Sequence, residues 1–233
     1  MSQHYFYSSE LSVNAKGKRR SNRPYLKILT LTLALFFFAD GIWIQAKAWL
    51  AQYLIASAWA EQVEMQQEMT GTDISSSDSD LSAIKPWPWA DTWPVARIQA
   101  KHLGEDLFVL DGAHGSALAF GPGRLHGTSD PGFPGLSIVG GHRDTHFQFL
   151  QQLHVGDELQ VTNRIGGVHN YEIESMEIVN QKETPLTAYA DEDRLLLVTC
   201  YPFDSWTAGG DLRFVVSARM RPSEINDFVL AQH

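Results

Sequence analysis

The sequence predicts a mainly β domain, an antiparallel sandwich or barrel, carried on an N-terminal membrane-spanning helix and a helical extension. Three observations carry this. From Val95 onward, short runs rich in Val, Ile, Leu, Phe and Tyr alternate with Gly, Pro, Asn and Asp, and helical periodicity is scarce. Ile28 to Ile44 reads ILTLTLALFFFADGIWI, an apolar run that at 1.5 Å per residue nearly crosses a hydrocarbon core of about 30 Å. Gln45 to Met69 holds Ala, Gln, Glu and Leu without Gly or Pro, the composition of a helix that continues from the apolar run.

In chain order, residues 1–24 form a basic leader in which Lys16, Lys18, Arg19, Arg20 and Arg23 crowd together, although the chain of 233 residues carries a net charge of -9. Basic residues before an apolar span hold that end in the cytoplasm, so residues 25–45 are expected to be a signal-anchor with everything after them extracytoplasmic, on the outer side of the inner membrane. Trp43 and Trp49 then fall at the outer interface. Ala46-Lys47-Ala48 also offers the small-x-small pattern of a signal-peptide cleavage site; the length of the run and its long polar leader favour an uncleaved anchor. Acidity elsewhere argues against a nucleic-acid partner.

The extension, residues 46–69, has apolar residues recurring at Trp49, Tyr53, Ala56, Ala60 and Val63, the recurrence of a helix continuing from the membrane. Residues 70–92 start as a Ser- and Asp-rich linker and end in the strap KPWPWADTWP, whose prolines disfavour helix and whose Trp rings are expected to lie against the following domain. Residues 93–222 hold the candidate strands Val95–Ile98, Leu107–Leu110, Leu136–Val139, Glu158–Thr162, Asn170–Val179, Leu195–Thr199 and Leu212–Met220. Residues 223–233 are a tail.

Candidate chemistry gathers at strand ends. Cys200 is the only cysteine, so no internal disulfide is open to it; it is either buried and inert or present to react. Leu195–Val198 is apolar throughout and suits a strand buried on both faces, with Thr199-Cys200 at its end. Pro202, Gly209 and Gly210 in the next loop can turn the chain so that Leu212–Met220 runs antiparallel beside it. Arg213 then shares a face with Val215 and Ser217, where a guanidinium is either paired structurally or aimed at developing negative charge. In LSIVGGHRDTHF, His142 stands at the mouth of another strand. An imidazole there can hold a thiolate and later give a proton to a leaving amine. His142 and His146 also have the spacing of a zinc half-site, but no Glu lies between them and the strand and glycines before them oppose a helix. No metal and no cofactor is expected. The remaining histidines read as surface or core fillers.

These segments resemble a known family. LLLVTC resembles the TLxTC signature of the sortases, with Leu196 where many members have Thr; GHRDTHF resembles their catalytic-histidine segment and LRFVVSA their catalytic-arginine strand. GPGRLHGTSDPGFPG, Gly121 to Gly135, is similar to the glycine-rich approach to that histidine in class D-like sortases, and QAKAWLAQ with KPWPWADTWPV looks like the Gram-negative branch, class GN or marine proteobacterial. The resemblance spans about Trp93 to Arg221. It implies a closed eight-stranded β-barrel and a cysteine transpeptidase that attacks an LPxTG-like C-terminal sorting signal of an exported protein and passes the acyl group to an amine acceptor. Carried over residue by residue, it implies Cys200 as nucleophile, His142 as general acid/base and Arg213 as oxyanion stabiliser, with Thr199 and Asp144 as neighbours of the site. It carries over no calcium site. Asn180–Asp193, which in relatives walls the substrate groove, has the composition of a short helix. A thiol hydrolase using the same three residues, and a non-catalytic membrane-tethered binding module, are the competing readings.

Overall fold

A computed structural model describes residues 23–70, 83–183, 193–205 and 209–221. Two units divide the chain, one up to Ala46 and the other from Lys47. One helix, α1 (Arg23–Thr70), begins in the first and ends in the second. Its apolar part has a mean hydropathy of 1.7 over an 18-residue window with none of that window buried, so the helix is long and apolar enough to cross a membrane.

Within the second unit, α1 buries Ala51, Ile55, Ala58, Trp59 and Gln62, residues spaced three and four apart on one face. Trp59 lies against Phe108, and Gln52 Nε2 donates to the Phe120 carbonyl at 2.6 Å. Trp49 and Tyr53, from the recurrence that marks the helix in the sequence, stack on each other and remain exposed.

The strap holds a turn closed by Ala90 N–H on the Trp87 carbonyl, and Trp87 packs edge-on to Phe120 at 5.0 Å. Trp93 joins the core, whereas Trp89 faces solvent. Buried Thr92 ties the strap down by donating to the Asp111 carbonyl at 2.7 Å.

Eight strands follow: β1 (Pro94–Ala100), β2 (Glu105–Asp111), β3 (Gly123–Arg124), β4 (Ser137–Gly140), β5 (Glu158–Asn163), β6 (Val168–Asn180), β7 (Arg194–Cys200) and β8 (Leu212–Met220). A one-turn helix, α2 (Gly115–Leu118), lies between β2 and β3. The strands close a barrel in the order β1-β2-β3-β4-β7-β8-β6-β5, with β5 pairing back to β1. The pairing is not wholly antiparallel as the sequence suggested, because β2·β3 and β4·β7 are parallel. Parallel neighbours need a long crossover. Between β4 and β7 the chain supplies one, by way of the 3-10 turn Gln148–Gln152 and the β5–β6 hairpin.

Each candidate strand is present, and β3 is the addition. It is two residues long and starts at Gly123, where a β-carbon would meet the Gly112 carbonyl oxygen at 2.3 Å. Glycine is needed for that approach of two backbones, and glycine removes the alternation by which strands are recognised.

The core sits inside the barrel. Val95, Ile98, Val109, Val139, Leu159, Val161, Tyr171, Ile173, Leu195, Leu197 and Val216 face one another there, joined by Phe147, Phe149 and Leu150 from the 3-10 turn. A smaller cluster, Leu136, Ile138, Leu196, Val198 and Val215, forms from the alternate residues of β4, β7 and β8. β7 is therefore buried on both faces, as its unbroken apolar run requires: Leu195, Leu196 and Leu197 are each fully buried. The short helix expected within Asn180–Asp193 concerns residues 184–192, which lie outside the described residues, as do the basic leader up to residue 22 and the tail.

Candidate active site

Three chain segments meet at one end of the β4–β7–β8 part of the barrel. β7 and β8 are antiparallel with Cys200 paired to Arg213, the last pair of the ladder. Residues opposite each other across strands project to the same face. Cys200 and Arg213 therefore share the face of Val198 and Val215, the side of the smaller apolar cluster. Cys200 is half-buried and makes no disulfide.

β4 runs parallel to β7 with Gly140 level with Val198. Beyond the strand, Gly141 N–H donates to the Val198 carbonyl at 3.1 Å, and Thr199 Oγ1 donates to the Gly141 carbonyl at 2.7 Å. These two bonds fasten the start of the histidine segment to the end of the cysteine strand, so His142 enters beside Thr199-Cys200. Gly141 is sterically required here, because a β-carbon would lie 2.7 Å from the Phe147 ring. His142 is exposed, and its carbonyl accepts from Phe147 N–H at 2.9 Å, which closes the turn around Arg143–Phe147.

Of the sequence-selected residues, Cys200, Arg213 and His142 thus come to one rim. Thr199 is buried and acts through its bond to Gly141. Asp144 is exposed in the histidine turn. His146, two residues on, is held below the ordinary histidine range by burial and by His142, with Asp144 opposing the shift. His142 and His146 are joined by a turn rather than a helix, so their spacing does not place them on one helical face. Among the described residues no three His, Cys, Asp or Glu side chains gather as a metal cage.

Arg213 Nη1 donates to the carbonyls of Gly210 and Leu212, at 2.8 and 2.9 Å. Both bonds use the same nitrogen. They fix the guanidinium through backbone of the β7–β8 connection and leave the Nε and Nη2 hydrogens to other acceptors.

Some neighbours were not singled out from the sequence. Arg143, directly after His142, is buried and donates from Nη2 to the Ser205 carbonyl at 2.8 Å, tying the histidine turn to the loop after Cys200. Tyr201, Phe203 and Phe214 form a ring cluster with centroids 5.3 to 6.4 Å apart, giving the rim an aromatic flank. A cleft of about 530 Å³ opens between these segments, lined by Arg143, Gln148, Tyr201, Phe203 and Asp204 among others. The signal for Arg143 was its position beside His142; its burial arises from a loop contact 62 residues away and leaves no local pattern.

The sortase domain family model matches residues 98–221, which contain every one of these site segments. The chain belongs to the sortase family. It is 28% identical to Sortase D of Bacillus subtilis (strain 168) over 153 residues, 64% of this chain and 74% of that protein. Among solved structures, the Clostridium perfringens Sortase D5 transpeptidase is similar with a TM-score of 0.51 at 21% identity, over 71% of this chain and 99% of that one. Sortase A from Corynebacterium diphtheriae also has a TM-score of 0.51 at 21% identity, over 78% of this chain and 94% of that one. These two likenesses concern the fold. The closed eight-stranded barrel is thus a sortase barrel, and the protein is a cysteine transpeptidase enzyme.

Proposed function

We propose that this sortase cleaves an LPxTG-like C-terminal sorting signal of an exported protein, with Cys200 as nucleophile, His142 as general acid/base and Arg213 as oxyanion stabiliser. The thiolate of Cys200 attacks the scissile carbonyl carbon, and the carbonyl electrons move to oxygen. Arg213, anchored to backbone carbonyls through Nη1, supplies donors from Nε and Nη2 to that oxyanion. Collapse of the intermediate breaks the C–N bond as His142 gives a proton to the departing amine, leaving a thioester on Cys200. An acceptor amine then attacks, His142 takes its proton, and the thiolate is released as a new amide forms. Asp144 and Thr199 serve as neighbours, Thr199 by keeping the histidine segment against the cysteine strand.

The observation that carries this reading is the pairing of Cys200 with Arg213 beside the mouth of β4. An inert buried thiol needs no guanidinium opposite it on the same face. Apolar α1 supports a single-pass anchor in the inner membrane, and the basic leader supports an inside N-terminus with the barrel extracytoplasmic. The segments QAKAWLAQ and KPWPWADTWPV support the Gram-negative branch.

The test is incubation of the detergent-solubilised chain with a sorting-signal peptide, with and without a small amine, followed by mass spectrometry. The expected result is a thioester adduct on Cys200 and an amide product that requires the amine. Cleavage that is unchanged by amine and yields only the free acid would instead establish a hydrolase.

A further inference from the structure

Two histidines outside the proposed triad converge on the connection between β2 and β3. His114 opens α2, and His126 follows β3; their rings are nearly parallel, 16° apart, with centroids 6.4 Å from each other. Between them lies Gly112, in the left-handed region at φ +84°; a β-carbon there would stand 2.7 Å from His114 Nε2 and 3.2 Å from His126 Nε2. Both ring nitrogens therefore border one small space that the absence of a side chain keeps open.

Hydrogen bonding sets the protonation of one ring. Ser116 Oγ donates its single hydrogen to Asp91 Oδ2 at 2.8 Å, so its lone pair receives the proton of His114 Nδ1 at 2.9 Å. With Nδ1 carrying the hydrogen, neutral His114 presents a bare lone pair at Nε2. A carboxylate acting on a histidine's far nitrogen is the outer arrangement that orients metal-binding imidazoles; here a serine hydroxyl relays it. His126 is exposed, so its ring can turn toward the shared space without displacing packed neighbours.

From these contacts we infer that His114 and His126 form a two-imidazole site for a borderline divalent transition cation of the Cu²⁺, Ni²⁺ or Zn²⁺ type, water completing its coordination. Imidazole suits these ions, whereas Mg²⁺ and Ca²⁺ prefer oxygen. The site lies close to the catalytic rim: Ala113, between Gly112 and His114, sits 3.7 Å from where a β-carbon on Gly140 would be, and Gly140 is two residues before His142.

Copper is the probe. The detergent-solubilised full chain carrying Cys200→Ala, which removes the thiol as a competing ligand, is titrated with Cu²⁺ and followed by calorimetry and electron paramagnetic resonance. The expected result is one site whose spectrum shows two imidazole nitrogens, lost in both His126→Gln and His114→Gln, and weakened about 10-fold in Ser116→Ala through the loosened orientation of His114. His126→Gln alters only an exposed side chain, so its result stands whether or not the His114 variant folds. Copper binding that keeps its stoichiometry and affinity in His126→Gln overturns the site, as does a site that survives with one nitrogen.

Discussion

Cys200 and Arg213 are directly opposed in the last rung of the β7–β8 ladder, on the face shared by Val198 and Val215. Cross-strand partners have β-carbons about 4.5–5.5 Å apart, so under the proposed mechanism Arg213 is the donor nearest in the ladder to a carbonyl attacked by the sulfur. Arg213→Ala is expected to lower kcat/KM for a sorting-signal peptide by at least ~100-fold, the scale of a lost oxyanion donor. Alkylation of Cys200 by iodoacetamide, which develops no oxyanion there, should change far less. Parallel loss of peptide turnover and alkylation would assign Arg213 to activating the thiol instead. His142→Ala should cost a comparable factor in turnover.

Thr199 links the histidine segment to the cysteine strand with a side-chain bond, from its hydroxyl to the Gly141 carbonyl. Thr199→Val keeps the shape but leaves that part-buried acceptor without its donor, at a cost of about 1 kcal/mol. The histidine segment then loses a tether beside Cys200, so kcat should fall while KM stays near its starting value. Thr199→Ser retains the hydroxyl and is expected to restore most of both. Equal activity in Thr199→Val and the parent chain would reduce Thr199 to a packing residue.

Asp111 of β2 and Asp130 clamp Arg124 of β3, and Asp130 also binds Arg164 at 3.1 Å. Asp111 is only 6% exposed. Its replacement by Ala takes one partner from a half-buried guanidinium that Asp130 and the Thr128 carbonyl still hold; loss of a partner from a fully buried pair costs about 3–5 kcal/mol. Since Asp130 remains, the lower end is expected. Chemical denaturation of Asp111→Ala would show it; a loss below about 1 kcal/mol would mark the pair as interchangeable with water.

Most of the barrel was legible because β strands leave local marks. β7 is marked by an apolar run suited to burial on two faces, and the Gly-containing turn after it sets Leu212–Met220 antiparallel beside it; the pairing of Cys200 with Arg213 comes from the structure. What escaped detection was set by approach between distant backbones. β3 is invisible because Gly123 is selected by its contact with Gly112, and the parallel β4·β7 pairing depends on a crossover that strand patterns do not encode. Likewise the packing face of α1 is not marked in the sequence, since Trp49 and Ile55 are both apolar and only Ile55 is buried. Cys200, His142 and Arg213 each stand at a strand end, which is what singles them out in the sequence as candidates; the tie between Arg143 and Ser205 leaves no such mark.

As the sole cysteine, Cys200 is also a reporter of topology. With the barrel outside the inner membrane, a membrane-impermeant maleimide should label intact spheroplasts as fully as lysed ones, and Cys200→Ser should abolish the signal. Labelling that requires lysis would place the barrel in the cytoplasm and reverse the proposed orientation of α1.

The histidine turn carries a pH dependence whose sign follows from His146. Its ordinary pKa of 6.5 is lowered in the folded protein, first by burial and then by nearby His142, while Asp144 pulls the other way. Between the lowered folded value and 6.5 the unfolded chain binds a proton at this position and the folded chain does not, so acid favours unfolding. The stability tied to neutral His146 is complete above pH 6.5 and is lost as pH falls from there through the folded value. His146→Gln has no proton to gain. Its melting temperature should therefore fall less than that of the parent between pH 7.5 and 5.5, with scanning calorimetry as the measurement. Identical slopes in the two proteins would mean that His146 is solvated well enough to titrate normally, and the burial of this turn beside His142 would need another account.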